Sequence, residues 1–242
     1  MCVQDARTPG TSANCIDPTD FTLRAIIDRL HDVPIPMEII CVNDASRDGS
    51  AAILDAMLAE GLVQKVVHQP VNGGKGKALR VGFQHATGDV TVVQDADLEY
   101  DPRELPKLLN PIIDGRADAV FGSRFLGGEE RRVLYFWHSV GNSLLTLVSN
   151  MFTNLNLTDM ETCYKVVKTP LLKQLVLTSD RFGFEPEITA RLSQAGARIY
   201  EVPISYSGRT YAEGKKIGWK DGVAAFWHIL RFNLFPPPGA RR

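Results

Sequence analysis

At 242 residues and 26.7 kDa the chain is long enough for one large globular unit with a buried core. Its 44% hydrophobic and 23% charged residues sit near the globular average, which excludes a disordered polyampholyte and a fibrous repeat. Twenty-seven basic against twenty-eight acidic residues leave a net charge of -1, so no overall field favours nucleic acid and any anion site must be local.

Residues 1–20 are polar and broken by Pro9, Gly10 and Pro18, and are expected to form an irregular arm. Leu23, Ile26, Ile27 and Leu30 then recur at helical spacing, until Pro34 and Pro36 end the pattern. The apolar run from Glu38 to Val42 predicts a buried strand, and Asn43 to Gly49 a polar turn. Ser50 to Glu60 is helical in pattern, Lys65 to His68 is a short strand, and the segment from Asn72 opens a helix through His85. Val90 to Gln94 is the next strand. A helix carrying Leu105, Leu108 and Leu109 follows Pro102, and Ala119 to Phe121 is another strand. This alternation predicts an α/β fold with a mostly parallel sheet, whose ligands collect beyond the carboxyl ends of the strands.

The second half changes character. His138 to Leu155 places Val140, Leu144, Leu147, Val148, Met151 and Leu155 at helical spacing. That stripe is expected to face the core, with a membrane-surface or partner helix as the other reading. Helical patterns return at 170–177, 186–195 and 219–232, and Arg198 to Val202 reads as a strand. The division expected is an arm at 1–20, one domain at 21–235 and a tail at 236–242. Cys2, Cys15, Cys41 and Cys163 form no CxxC pair, which points to reduced thiols and a cytoplasmic setting rather than a zinc site or a disulfide scaffold. Neither a signal peptide nor a spanning helix is expected, which leaves a soluble protein or one attached peripherally at the cytoplasmic membrane face.

Two segments carry chemistry. Asp95-Ala-Asp97 ends an apolar strand and is followed by Glu99 and Asp101, and carboxylates so placed hold a hard divalent cation that bridges phosphates. Asn72-Gly-Gly-Lys-Gly-Lys77 offers close backbone approach and a helix amino end that favours an anion. It is neither a Walker loop nor a GxGxxG turn, because Val71, Ala78 and Leu79 stand where those patterns need other residues.

With these two segments, Val42-Asn-Asp-Ala-Ser-Arg-Asp-Gly-Ser50, Gly122-Ser-Arg-Phe125, Thr158-Asp-Met-Glu-Thr-Cys-Tyr-Lys165 and Phe182-Gly-Phe-Glu-Pro-Glu187 occur in order. Together they resemble the family 2 inverting glycosyltransferases, in the dolichol-phosphate mannosyltransferase-like branch. The resemblance spans about residues 21–235 and implies a GT-A fold. It also implies a GDP- or UDP-sugar donor, a Mg2+ or Mn2+ ion, and transfer of a hexose with inversion to a polyprenyl or dolichyl phosphate. By the same resemblance Asp44 and Asp95 lie on the nucleoside side, Lys75 is near the donor, and Asp97 with Glu99 and Asp95 is at the metal.

An alcohol acceptor must lose a proton, whereas a phosphate monoester arrives ionised. Asp159 and Glu161 match the acidic segment in which alcohol-using relatives place their base. Arg124, Arg131, Arg132 and Arg209 offer forked donors suited to an acceptor phosphate. Lys215 and Lys216 resemble the basic loop that closes over phosphate in this branch. Relatives open with an apolar strand ending in Pro-x-Tyr-Asn-Glu, and that strand is apparently missing here, since Cys15-Ile-Asp-Pro-Thr-Asp20 stands in its region. The rival readings are the same fold acting on an alcohol or sugar hydroxyl, and an inactive nucleotide-sugar-binding relative.

Overall fold

The computed structural model describes residues 2–4, 18–133, 135–181, 183–210 and 219–236. The elements in chain order are β1 (Cys2–Gln4), α1 (Pro18–His31), β2 (Ile40–Asn43), α2 (Ser50–Ala59), β3 (Lys65–His68), α3 (Lys75–His85), β4 (Val90–Asp95), α4 (Leu105–Ile113) and β5 (Ala119–Ser123). They continue with α5 (Phe136–Thr153), β6 (Lys165–Lys168), α6 (Thr169–Gln174), α7 (Phe184–Gln194), β7 (Ile199–Pro203) and α8 (Trp219–Leu234).

The seven strands form one sheet in the order β3-β2-β1-β4-β6-β5-β7. β6 runs antiparallel to both its neighbours, and every other pairing is parallel. Six strands therefore end at one edge of the sheet, and β6 begins there. That edge collects the turns after Asn43, His68, Asp95, Ser123 and Pro203, together with the segment before Lys165. The predicted convergence of polar turns is a consequence of this topology.

The expectation of a strandless arm is corrected at Cys2–Gln4. These residues form β1 in the middle of the sheet, with Val3 beside Cys41 on one side and Gln94 on the other. Three residues are too short to print a period-2 pattern, so only the pairing reveals them. The place of the family's first strand is filled, although the Pro-x-Tyr-Asn-Glu turn does not occur in the sequence. β6 is also unannounced, since Lys165 and Lys168 flank only two valines.

Alternation along β2 shows how the layers form. Ile40 and Val42 pack with Ala78 and Ala86 at the two ends of α3. Ile39 and Cys41 point the other way, into the main cluster with Leu23, Ile26, Ile27 and Leu30 of α1 and Met57 of α2. Helices therefore cover both faces of the sheet, as a buried parallel sheet requires.

The expectation that the α5 stripe faces the core holds for Val148 and Leu155, which pack against the main cluster, and is corrected for the other four residues. Leu144, Leu147 and Met151 are 57%, 56% and 74% exposed, and Val140 is exposed with them. The buried side of α5 carries Thr146, Ser149 and Thr153 instead. Their polarity is absorbed locally: Thr146 Oγ1 accepts the Met160 amide at 3.1 Å, and Thr153 Oγ1 donates to the Ser149 carbonyl. Apolar spacing alone cannot separate the two faces of a helix that is hydrophobic over most of its circumference.

The amino end of α3 is pressed against residues 179–180. A Cβ on Gly76 would lie 2.2 Å from the Ser179 carbonyl oxygen, whereas one on Gly127 would meet nothing within 4 Å. Gly76→Ala should cost more than about 2 kcal/mol in urea denaturation, despite alanine's better helix propensity, and Gly127→Ala should stay within about 0.5 kcal/mol. Equal midpoints for the two variants would show that this seam can give way.

Candidate active site

The carboxyl end of β2 delivers Asp44, which is 2% exposed. Its Oδ1 accepts from the Gly73 amide and from Gln69 Nε2, both at 2.8 Å, and its Oδ2 accepts from the Gly74 amide at 2.6 Å. Gly74 has φ of +89°, a conformation that suits only glycine, so both amides can turn onto one carboxylate. The anion held by this loop is thus the protein's own Asp44. The first amides of α3 are closed from outside as well, since Lys77 donates to the Asp180 carbonyl and Arg80 bridges Ser179 and Asp180.

Lys75 leaves this loop toward the end of β4. Its Nζ lies 3.2 Å from the Asp95 carboxylate and 2.9 Å from Glu185 at the start of α7. Burial opposes its charge, but the carboxylates of Asp95 and Glu185 outweigh that and hold the ammonium well above its ordinary pKa. Glu187, further along the same helix end, is fully buried. It accepts the amides of Thr178 and Ser179, so its part is structural.

Asp97 lies beyond Asp95 in the turn that follows β4. Burial, then the neighbouring charges of Asp95 and Glu99, push its carboxyl up to about 7. Arg209, after β7, supplies the opposing charge: Nη2 donates to Asp97 Oδ2 at 2.8 Å and Nε to Glu99 Oε1 at 2.6 Å. Glu99 Oε2 accepts the Tyr206 hydroxyl at 2.6 Å. The sequence expectation put Glu99 at a metal and Arg209 at an acceptor, yet here the two side chains hold each other. Among the described residues no group of three His, Cys, Asp or Glu is arranged to hold a metal ion. The oxygens of Asp95 and Asp97, engaged by Lys75 and Arg209, are hard donors of the kind a divalent ion takes.

Asp159, just before β6, is fully buried against Arg124 after β5. Arg124 grips it with Nε at 2.6 Å, Nη2 at 2.7 Å and its own amide at 3.1 Å, while Asn142 of α5 bonds both partners at 3.3 Å. Despite burial, Asp159 keeps the guanidinium well above its normal pKa. Arg131 donates to the Arg124 carbonyl at 3.2 Å and lies over the Phe125 ring, with its side chain exposed. Arg132 reaches the Gly208 carbonyl.

Glu161 differs from Asp159. Its Oε1 is buried with no hydrogen-bond partner. Burial, then the nearby Glu185, push its carboxyl up to about 8, so it is mostly protonated at neutral pH. Lys165 is buried close by, donating to the Met160 and Thr162 carbonyls, with its pKa lowered by burial.

The structure thus brings Lys75, Asp95, Asp97, Glu99, Arg124, Arg131, Asp159, Glu161 and Arg209 to one edge of the sheet. Asp44 sits beneath that edge, and Lys215 and Lys216 lie outside the described residues. Sequence reading missed Asn142 and Tyr206 and quoted Lys165 and Glu185 within motifs without assigning either a role, because each acts through a neighbour that local pattern does not reveal.

Comparison with known proteins bears on the family and the fold. The sequence model described as Glycosyl transferase family 2 matches residues 14–175. An undecaprenyl-phosphate mannosyltransferase of Micrococcus luteus is 30% identical, over 88% of this chain and 93% of that protein. A polyprenol monophosphomannose synthase of Mycolicibacterium smegmatis is 28% identical, over 81% of this chain and 76% of its own length. Glucosyl-3-phosphoglycerate synthase of Mycobacterium tuberculosis, solved with uridine diphosphate, superposes with a TM-score of 0.70 at 17% identity, covering 98% of this chain and 81% of that one, a likeness of fold.

The Glu161 carboxyl gives a signed pH effect. Its folded pKa of about 8 lies above the unfolded value of about 4.3, so the folded state binds the extra proton between them. The stability that this proton confers is whole below the unfolded value and is lost as pH rises through about 8. Glu161→Gln should flatten the fall in urea midpoint between pH 5.5 and 8, by a slope approaching about 1.4 kcal/mol per pH unit. Parallel curves for the two proteins would place an ionised carboxylate at this position.

Proposed function

The chain belongs to the family 2 glycosyltransferases, and from that premise we propose that it transfers a hexose with inversion from a nucleotide diphosphate sugar to a polyprenyl phosphate. The observation that carries the acceptor class is the condition of the two carboxylates beside β6. Asp159 is locked in a two-pronged pair with Arg124, and burial pushes the Glu161 carboxyl up to about 8, so at neutral pH only a minor ionised fraction of Glu161 is left to serve as a general base. An acceptor that arrives ionised needs none. The Micrococcus luteus and Mycolicibacterium smegmatis relatives, named for undecaprenyl phosphate and polyprenol monophosphomannose, support the same reading.

In this reading one acceptor phosphate oxygen attacks the anomeric carbon as the bond to the diphosphate breaks on the opposite face. The nucleoside diphosphate leaves with the electron pair, and no proton need move. Asp95 and Asp97 would hold the Mg2+ or Mn2+ ion, which would supply positive charge for the departing diphosphate. Lys75, fixed by Asp95 and Glu185, adds a second charge from the Gly-rich loop that Asp44 anchors. Arg124, oriented by Asp159, and the exposed Arg131 face the acceptor phosphate, with Arg209, Lys215 and Lys216 contributing from the segment after β7. Mn2+ occurs with uridine diphosphate in a solved complex of the Mycobacterium tuberculosis synthase, which supports a divalent ion in this fold.

The same acceptor implies a lipid surface, and the exposed faces of α5 and α8 supply one. Trp137, Leu144, Leu147 and Met151 on α5 and Phe226 and Trp227 on α8 are all exposed, and the two helices pack together. Asn142, on the inward side of α5 with Thr146 and Ser149, ties this helix to the Arg124–Asp159 pair. Exposed Arg131, Arg132 and Arg231 provide cationic partners for anionic headgroups. No described helix is long and apolar enough to cross a membrane, so contact through these helices would be interfacial.

Two experiments test this function. With nucleotide-sugar panels and Mn2+, product should form on a polyprenyl phosphate and not on the free polyprenol or a simple glycoside. The rate should follow the acceptor's second ionisation near pH 6 and then stay level to about pH 9. Transfer to an alcohol, with a rise through about pH 8 that Glu161→Gln abolishes, would overturn the assignment. In vesicle co-sedimentation, Trp137→Ser with Trp227→Ser should weaken binding to anionic vesicles by about tenfold or more while the circular dichroism is kept. A dimer in solution that the same pair dissociates would assign the face to a second copy of the chain instead.

A further inference from the structure

The cation that faces Asp97 in this structure is a side chain. Asp97 is crowded by Asp95 and Glu99; Lys75 serves Asp95, and among the described residues the cation paired with Asp97 is the Arg209 guanidinium, which spans Asp97 Oδ2 and Glu99 Oε1. We propose that Arg209 holds the place of the divalent ion while the site is empty, so that ion entry and departure of Arg209 from Asp97 are one exchange. The inference rests on the reading of Asp97 as a metal ligand and adds an order of events to it.

Three features support an exchange over a permanent pair. Asp97 Oδ2 lies 2.8 Å from Nη2, so a metal ion bound at the same oxygen would be repelled by the adjacent guanidinium charge. The Arg209 side chain is 41% exposed, so it can leave toward water without the large penalty of moving a buried charge. Glu99 can stay behind as the anchor. Its Oε2 keeps the Tyr206 hydroxyl, and its backbone carbonyl keeps the Ser207 amide at 3.0 Å, so the chain before Arg209 remains docked when the guanidinium swings out. Arg132, on the Gly208 carbonyl, lies next to the point of release. The freed guanidinium therefore joins the cationic acceptor side only after the ion, and the diphosphate it carries, are in place. Acceptor phosphate would then meet its full set of cations only in a loaded enzyme.

The test is Mn2+ binding to the free full-length protein, followed by the loss of the aqueous Mn2+ electron paramagnetic resonance signal without donor or acceptor. Arg209→Gln should bind Mn2+ about tenfold tighter than the wild type, because its competitor is gone. Arg131→Gln removes the same charge from a residue that does not touch Asp97, and should change the affinity by less than about threefold. Arg209→Lys, which keeps the charge without the fork, should fall between glutamine and arginine. Thermal melts give an independent readout. Arg209→Gln should melt below the wild type in chelator, and Mn2+ should raise its midpoint by more than it raises the wild type's. Equal or weaker Mn2+ binding by Arg209→Gln, or a gain no larger than that of Arg131→Gln, would overturn the exchange while leaving the metal site intact. Unchanged Mn2+ binding by Asp97→Asn would show instead that the metal assignment has failed, and the exchange with it.

Discussion

Concentrated negative charge at the end of β4 is the constraint around which the rest of the site is built. Asp95, Asp97 and Glu99 fall within one short stretch of chain, and burial makes their mutual repulsion costly, as the Asp97 carboxyl pushed up to about 7 records. The fold answers with cations from opposite sides. Lys75 arrives from the Gly-rich loop before α3 and Arg209 from the chain beyond β7. Each is itself braced by a further carboxylate, Glu185 for Lys75 and Glu99 for Arg209. Two cations set against four carboxylates leave this edge with an excess of negative charge, which suits a further cation.

Across the same edge, Arg124 and Asp159 show a second use of buried charge. Their two-pronged contact satisfies both groups, and Asn142 completes it, so the pair acts as a fixed wall rather than a proton shuttle. Glu161, two residues along, has no such partner for Oε1, and burial pushes its carboxyl up to about 8 instead. That division of labour underlies the proposed choice of an ionised acceptor, because chemistry that moves no proton makes no demand on either group. Geometry here narrows the acceptor more than the residue types do, since an aspartate and a glutamate in this segment suit either chemistry.

The helices beside this wall carry the proposed surface function. α5 turns small hydroxyl residues inward, where Thr146 and Thr153 find hydrogen-bond partners, and turns leucine, methionine and tryptophan outward. Such an inversion is destabilising in plain water and makes physical sense when the outer face meets something apolar. An acceptor with a long hydrocarbon tail is the partner consistent with the rest of the proposed site.

Much of this was written in the chain itself. The alternation of short apolar runs with helical patterns dictates a parallel α/β sheet, because each strand buried on both faces must be continuously apolar and each crossover must be helical. Asp95, Asp97, Lys75 and Arg124 were legible because they stand in the turns beside those strands. β1 was not, for three residues carry no period, and neither was the outward face of α5, for spacing does not say which side the sheet will cover. The partnerships lay further out of reach. Arg209 meets Asp97 across 112 residues, Asp159 meets Arg124 across 35, and the amides of Gly73 and Gly74 meet Asp44 across 29 and 30. Local pattern determines which residues arrive at the sheet's carboxyl edge. Only the folded structure decides which charge faces which, because that depends on strands brought side by side from distant parts of the chain and on how much water burial leaves between them.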